Sequence, residues 1–213
     1  MEDEAPPANL GDDIEAWVQA RLGKVTASRV SDVLAMTKKG PSERRQHYMA
    51  ELIAERLTGM PKEPFLNSAM LWGVETEYAA RRAYENHSGE SVEIVWFIDH
   101  PTIPMSGASP DGYVGDKGLL EIKCPLSQTL VEMHMAGEVP DKYVLQMQWQ
   151  MACTGRRWCD FVGFDSRIKG PASLFVRRVD RDDAMIDEME ASVMAFLAEI
   201  DTWMDRLNRG DGL

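Results

Sequence analysis

The stretch from Ser109 to Pro125, SPDGYVGDKGLLEIKCP, constrains this chain more than any other. Gly112, Gly115 and Gly118 mark a hairpin turn, and Leu119 to Lys123 reads as a short strand, apolar and then alternating. Side chains two apart on a strand share a face, so Glu121 and Lys123 point into one site. The turn brings Asp111 beside them. Aspartate and glutamate are hard oxygen donors suited to Mg²⁺ or Mn²⁺. A metal there would lower the pKa of a bound water and neutralise charge on a phosphate, while Lys123 would hold or polarise that water. Glu and Lys also alternate on many solvated strand faces, so the pattern gains its weight from the rest of the chain.

The remaining periodicities predict a helix–strand mixture around a central sheet. Asp12 or Asp13 caps a helix through Leu22, and Thr26 or Ser28 caps a short second one. Ser42 begins a helix to about Thr58, ended by Gly59 and Pro61. A helix is expected over Ser68–His87, followed by strands over Val92–Ile98, Ile103–Ala108, Gly112–Val114 and Leu119–Lys123. Helices over Gln128–Met135 and Lys142–Thr154 precede strands over Cys159–Asp165 and Ser173–Val179. In the tail, Met185, Met189, Val193, Phe196, Ile200, Met204 and Leu207 fall on one helical face and read as core packing.

The 213 residues are 44% hydrophobic and 27% charged, which suits one soluble domain, expected over residues 12–213 behind a disordered lead at residues 1–11. No apolar run approaches the roughly 18 residues of a membrane span. The acidic start does not read as a secretory signal. Three cysteines without a C-x-x-C pair favour a reducing cytoplasm and exclude an iron–sulfur ligand set. His47, His87, His100 and His134 lack metal-ligand spacing and read as surface or satisfied core residues. No P-loop or G-x-S-x-G elbow is present. The net charge of −12 opposes a nucleic-acid partner only on average. Basic residues gather at Arg21–Arg29, Lys38–Arg45, Arg81–Arg82, Arg156–Arg157 and Lys169–Arg178, and would line a locally basic cleft on an acidic body.

Four segments in order carry a family resemblance: Trp17 with RLGKVTASRV (Arg21–Val30), LWGVETEYAAR (Leu71–Arg81), the Ser109-Pro110-Asp111…Glu121-Ile122-Lys123-Cys124-Pro125 block, and YVLQMQWQM (Tyr143–Met151). Together they resemble the phage lambda exonuclease (YqaJ-type viral recombinase) family of the PD-(D/E)xK nuclease superfamily. The resemblance spans nearly the whole chain and implies a restriction-endonuclease-like α/β fold, with a central mixed sheet flanked by helices. It implies metal binding by Asp111, Glu121 and the Ile122 carbonyl, with Glu77 of the W-G-x-x-x-E pattern supporting. Glu75, two residues away on a helix, faces elsewhere. Gln146 matches the glutamine of the last motif, although Gln150 lies on nearly the same helical face.

By the same resemblance Arg21, Ser28 and Ser109 form a pocket for a terminal 5′-phosphate. A guanidinium fork and two hydroxyls suit a phosphate dianion. An apolar side chain at Met70 or Leu71 could wedge against the end base pair, though core packing is the plainer role. The implied activity is Mg²⁺-dependent 5′→3′ degradation of one strand of linear double-stranded DNA to mononucleotides, leaving a 3′ tail. The implied partners are two further copies in a ring trimer and a single-strand annealing recombinase, in a bacterial cytoplasm with a phage or prophage gene. An endonuclease on the same scaffold and a non-catalytic DNA-end-binding protein are the alternatives.

Overall fold

The computed structural model describes residues 10–38, 40–62 and 68–210, with side chains described for all of these except 10–14 and 68–75. In chain order the elements are α1 (Leu10–Arg21), β1 (Val25–Thr26), a 3-10 turn (Ala27–Arg29), α2 (Val30–Val33), β2 (Met36–Thr37), β3 (Gly40–Pro41), α3 (Glu43–Thr58), α4 (Ser68–Ser88), β4 (Val92–Glu93), β5 (Ile98–Asp99), β6 (Ser106–Ala108), β7 (Gly112–Val114), β8 (Gly118–Lys123), α5 (Ser127–Ala136), α6 (Asp141–Thr154), β9 (Trp158–Phe164), a second 3-10 turn (Pro171–Ser173), β10 (Leu174–Asp180) and α7 (Asp183–Arg209). Among the described residues no helix is long and apolar enough to cross a membrane, and Cys124, Cys153 and Cys159 are all free thiols.

The main sheet is mixed, in the order β10-β9-β8-β7-β4. β8 and β9 are parallel, and the other pairs are antiparallel. The β7–β8 hairpin pairs Gly112 with Leu120 and turns through Gly115, whose positive φ of 51° suits glycine. Gly118 pairs with Trp158, and a Cβ there would run into the indole ring. A second, three-stranded sheet runs in the order β1-β6-β5, with β1 parallel and β5 antiparallel to β6.

Alternation along β8 sorts its side chains into two cores. Leu120 and Ile122 pack with Ala80 and Tyr84 of α4 and with Val162 and Phe164 of β9. Leu119 packs on the other face with Met147 and Met151 of α6 and Phe161 of β9. A third core joins α2, α3 and α7 around Trp149.

Helix ends follow the expected chemistry where side chains carry it. Ser42 caps α3 by accepting from Arg45 N at 3.3 Å, and Gly59 closes it in the left-handed region. Several expectations change. The first helix begins at Leu10, ahead of Asp12 and Asp13, so Leu10 and Gly11 of the expected lead are helical. Residues 1–9 lie outside the described residues. Thr26 stands at the N-cap of the 3-10 turn without a side-chain capping bond.

The expected strand Val92–Ile98 is two strands in two sheets: Val92–Glu93 pairs with β7, and Ile98–Asp99 pairs with β6. Ile94 and Trp96 between them are exposed. The expected strand from Ile103 shrinks to Ser106–Ala108 because a turn precedes it. His100 Nδ1 accepts from the backbone N–H of Thr102 at 3.3 Å and of Ile103 at 3.1 Å, and Met105 sits at φ 61°. The α7 stripe is core through Ile200, whereas Leu207 is exposed.

The helix that carries Glu77 is pinned to the sheet by a buried polar contact. Tyr84 Oη donates to Asp160 Oδ2 at 2.7 Å, and Arg178 clasps the same carboxylate at 2.8 and 2.9 Å. Burial raises the Tyr84 pKa, and the Asp160 carboxylate raises it further, so the hydroxyl stays a donor. Tyr84→Phe removes one bond to a charged group and is expected to cost about 1.5–3 kcal/mol, read from the midpoint of urea denaturation.

Candidate active site

The site is built at the C-terminal end of β8. Asp111 N donates to Leu120 O at 3.1 Å, and the Asp111 Oδ2 accepts from Ile122 N at 2.5 Å. The β7–β8 hairpin therefore delivers this carboxylate to the strand that carries Glu121 and Lys123.

Glu121 is only 1% exposed. Its Oε1 accepts from Gln146 Nε2 at 2.7 Å and from Lys123 Nζ, and its Oε2 accepts from Gln150 Nε2 at 2.6 Å. Both glutamines come from α6, one helical turn apart. Lys123 Nζ also lies 5.5 Å from the centre of the Tyr143 ring. Burial works against its ammonium, but Glu121 and Asp111 outweigh that and raise its pKa, so Lys123 is a fixed cation.

Glu77 reaches the same edge from α4. Ala80 and Tyr84 follow it at three and seven residues and are wholly buried against the sheet, which sets the helix face. Burial raises the Glu77 pKa and nearby Glu121 adds to this, against the pull of Arg81, whose Nη2 stands 2.9 Å from Glu77 Oε1. Asp111 keeps part of its surface yet is hemmed in by protein. Burial first, and then Glu121, push its pKa well above the usual carboxylate range. Burial, and then Glu77 and Asp111, drive the Cys124 thiol to about 11, so it stays protonated in the metal-free protein.

The second group of residues adjoins the first through Ser109, two residues before Asp111. Ser109 Oγ accepts from Arg21 Nη1 at 3.2 Å and from Trp17 Nε1 at 3.1 Å, and the Arg21 guanidinium lies 4.0 Å from the Trp17 ring centre. Arg21 also lines a cleft of about 220 Å³ with Lys24, Thr26, Ser28 and Arg29. Ser28 is exposed there, its Oγ 3.3 Å from Thr26 Oγ1. Burial lowers the Arg21 pKa, so its cation is under-compensated and suited to an anion. The cleft's carboxylates are engaged, Glu51 with Arg29 and Lys62 and Glu55 with Gly23 N.

The donor set fits Mg²⁺. Among the described residues no three His, Cys, Asp or Glu side chains form a ready-made metal cage. Mg²⁺ does not need one, since it is commonly held by one or two carboxylates and keeps several waters. Asp111 and Glu121 supply two carboxylates whose mutual repulsion a dication relieves. Asp111 Oδ1 has no hydrogen-bond partner among the described residues. For Ile122 the structure fixes the N–H, taken by Asp111, and leaves the carbonyl as the backbone donor.

The sequence offers Gln146 with Gln150 as its competitor, and both donate to Glu121. Their four-residue spacing was the available signal. Trp17, behind Ser109, and Arg81, behind Glu77, had none stronger than proximity in a motif. Glu75 and the Met70–Leu71 wedge lie outside the described side chains.

A mixed sheet flanked by helices, with Asp111, Glu121 and Lys123 at the end of its central strand, is the restriction-endonuclease-like α/β fold. Within it, the chain belongs to the YqaJ-like viral recombinase family, whose domain model matches residues 16–157. It is similar to the crystal structure of an alkaline exonuclease (LHK-Exo) from Laribacter hongkongensis, at 52% identity and a TM-score of 0.85 over 92% of this chain and 97% of that one. The same enzyme in complex with dAMP superposes with a TM-score of 0.86 over the same shares, again at 52% identity. A phage related exonuclease from Haemophilus somnus 129PT shares the fold at 16% identity, with a TM-score of 0.66 over 86% of this chain and 96% of that one. No curated protein matches the chain.

Because the folded-state pKa of Asp111 lies above its unfolded value, the folded protein binds more protons between the two. Metal-free stability then falls as pH rises through that window. Asp111→Asn keeps the acceptor for Ile122 N and removes the charge. In chelator at pH 8 it is expected to raise the urea midpoint above wild type.

Proposed function

We propose that this chain is a Mg²⁺-dependent 5′→3′ exonuclease that degrades one strand of linear double-stranded DNA from a 5′-phosphorylated end, releasing mononucleotides and leaving a 3′ single-stranded tail. One observation carries the reading: the Arg21–Ser109 cluster and the Asp111–Glu121–Lys123 cluster share the segment Ser109–Asp111. A terminal phosphate held at the first would fix which phosphodiester meets the second. Only a strand end presents such a phosphate, which favours an exonuclease over an endonuclease. The 52% identity to an exonuclease studied with dAMP supports a mononucleotide product.

Asp111, Glu121 and the Ile122 carbonyl would hold the metal, with Glu77 supporting. The bound Mg²⁺ (or Mn²⁺) would supply an activated water and neutralise charge on the phosphate. The chain's own residues do the rest. Gln146 and Gln150 keep Glu121 in one orientation by holding both its oxygens. Lys123, kept cationic by its carboxylate neighbours, can donate to the attacking water and offset the charge growing on the phosphate oxygens. Arg21, Ser28 and Ser109 bind the terminal phosphate and index the strand by one nucleotide. The reading extends to a ring trimer, an annealing partner and a phage-encoded protein of the bacterial cytoplasm, as the family resemblance implies.

Nucleotide release with Mg²⁺ from a 5′-phosphorylated linear duplex, its 5′-hydroxyl counterpart and a closed circle tests this. Wild type is expected to act rapidly on the phosphorylated linear DNA alone. Lys123→Ala should slow it about 10²- to 10³-fold. Arg21→Ala should lose about tenfold or more of the preference for the phosphorylated end. Equal cutting of the circle would make the protein an endonuclease, and duplex-end binding without any cutting would make it an end-binding protein.

A further inference from the structure

The edge of the sheet that carries the carboxylates holds a further charged group. β8 and β9 run parallel with Lys123 opposite Gly163, so both strands end on the same edge. Asp111 flanks the end of β8 from the β7 side. Asp165, the residue after β9, flanks it from the other.

Asp165 is 4% exposed and saturated with donors. Its Oδ2 accepts from Ser127 Oγ at 2.5 Å, at the start of α5, and from Arg167 Nη2 at 2.8 Å. Its Oδ1 accepts from Arg167 N at 2.9 Å and Arg167 Nε at 2.8 Å. Two parallel bonds fix the guanidinium plane. The Arg167 side chain is nevertheless 54% exposed, and its Nη1 has no hydrogen-bond partner among the described residues. Ser166 and Lys169 of the same turn are exposed, and so is Leu126 at the β8–α5 junction. Here an immobilised cation stands at the rim of the site on a chain of net charge −12.

We infer that Arg167, fixed by Asp165 and assisted by Lys169, binds a backbone phosphate of the DNA beyond the scissile bond. This rests on the exonuclease reading. Along the sheet edge the order is the Arg21–Ser109 cluster on the β7 side, the carboxylates at β8, and Arg167 at β9. A strand whose terminal phosphate sits in the first and whose cleaved bond sits at the second leaves over the third. A pre-oriented guanidinium suits that contact, because it loses little freedom on meeting a phosphate.

The test is binding of the 5′-phosphorylated duplex in chelator across a KCl series, for wild type, Arg167→Ala, Arg167→Gln and Lys169→Ala. Steady-state cleavage with Mg²⁺ runs on the same duplex. Loss of one phosphate contact lowers the slope of log K against log salt by about 0.9 and weakens binding about tenfold. KM should rise while kcat at saturating DNA stays near wild type. A role confined to folding would leave the salt slope unmoved. Arg167→Gln can still donate to Asp165, so it carries the test if Arg167→Ala misfolds. An unchanged slope in both Arg167 variants overturns the inference. A wild type that cuts no DNA sinks the exonuclease reading instead, and the slope, which needs no turnover, still decides whether Arg167 meets DNA.

Discussion

Glu121 places a carboxylate at 1% exposure inside a sheet, and much of the surrounding structure follows from satisfying it. The effective penalty for burying an ion is several kcal/mol, unless donors replace its water. Here Lys123 supplies one donor from the same strand, and Gln146 and Gln150 supply two from α6. The strand alternation that turns Glu121 toward α6 also turns Leu119 into the core on that side and Leu120 and Ile122 into the core on the other. A one-residue slip of β8 would bury the wrong set on both faces. The register of the sheet and the geometry of the site are therefore one constraint.

The same constraint explains the electrostatics. Glu77, Asp111 and Glu121 crowd one edge with Lys123 among them and Arg81 behind. Burial and mutual repulsion raise the pKa of Asp111 and Glu77, a repulsion that the proposed dication would relieve. On a chain of net charge −12, three cations are held locally by their partners: Arg21 on Ser109, Lys123 on Glu121 and Arg167 on Asp165.

What could be read from sequence was what short-range rules control. The Asp111–Lys123 hairpin, the Ser42 cap of α3 and the apolar stripe of α7 through Ile200 all rest on turn chemistry, capping or periodicity within one element. The resemblance added Glu77, Gln146 and the Arg21 cluster, which periodicity alone leaves as solvated residues. Illegible features depended on distant partners. The run Val92–Ile98 alternates like one strand, yet its two ends pair with strands of different sheets. His100 looked like any isolated histidine, but it accepts two backbone N–H groups and so makes the turn that shortens β6. Gln150 became a site residue only when β8 was laid against α6.

The divalent-cation site proposed at Asp111 and Glu121 is tested most directly by the melting temperature of the DNA-free protein across a Mg²⁺ and Mn²⁺ titration. Binding to the folded state alone stabilises it in proportion to ln(1 + [L]/Kd). The account predicts a saturable rise in Tm for wild type and Lys123→Met, and its loss in Asp111→Asn and Glu121→Gln. A wild type indifferent to both metals, or a rise that survives in both carboxylate variants, would contradict it.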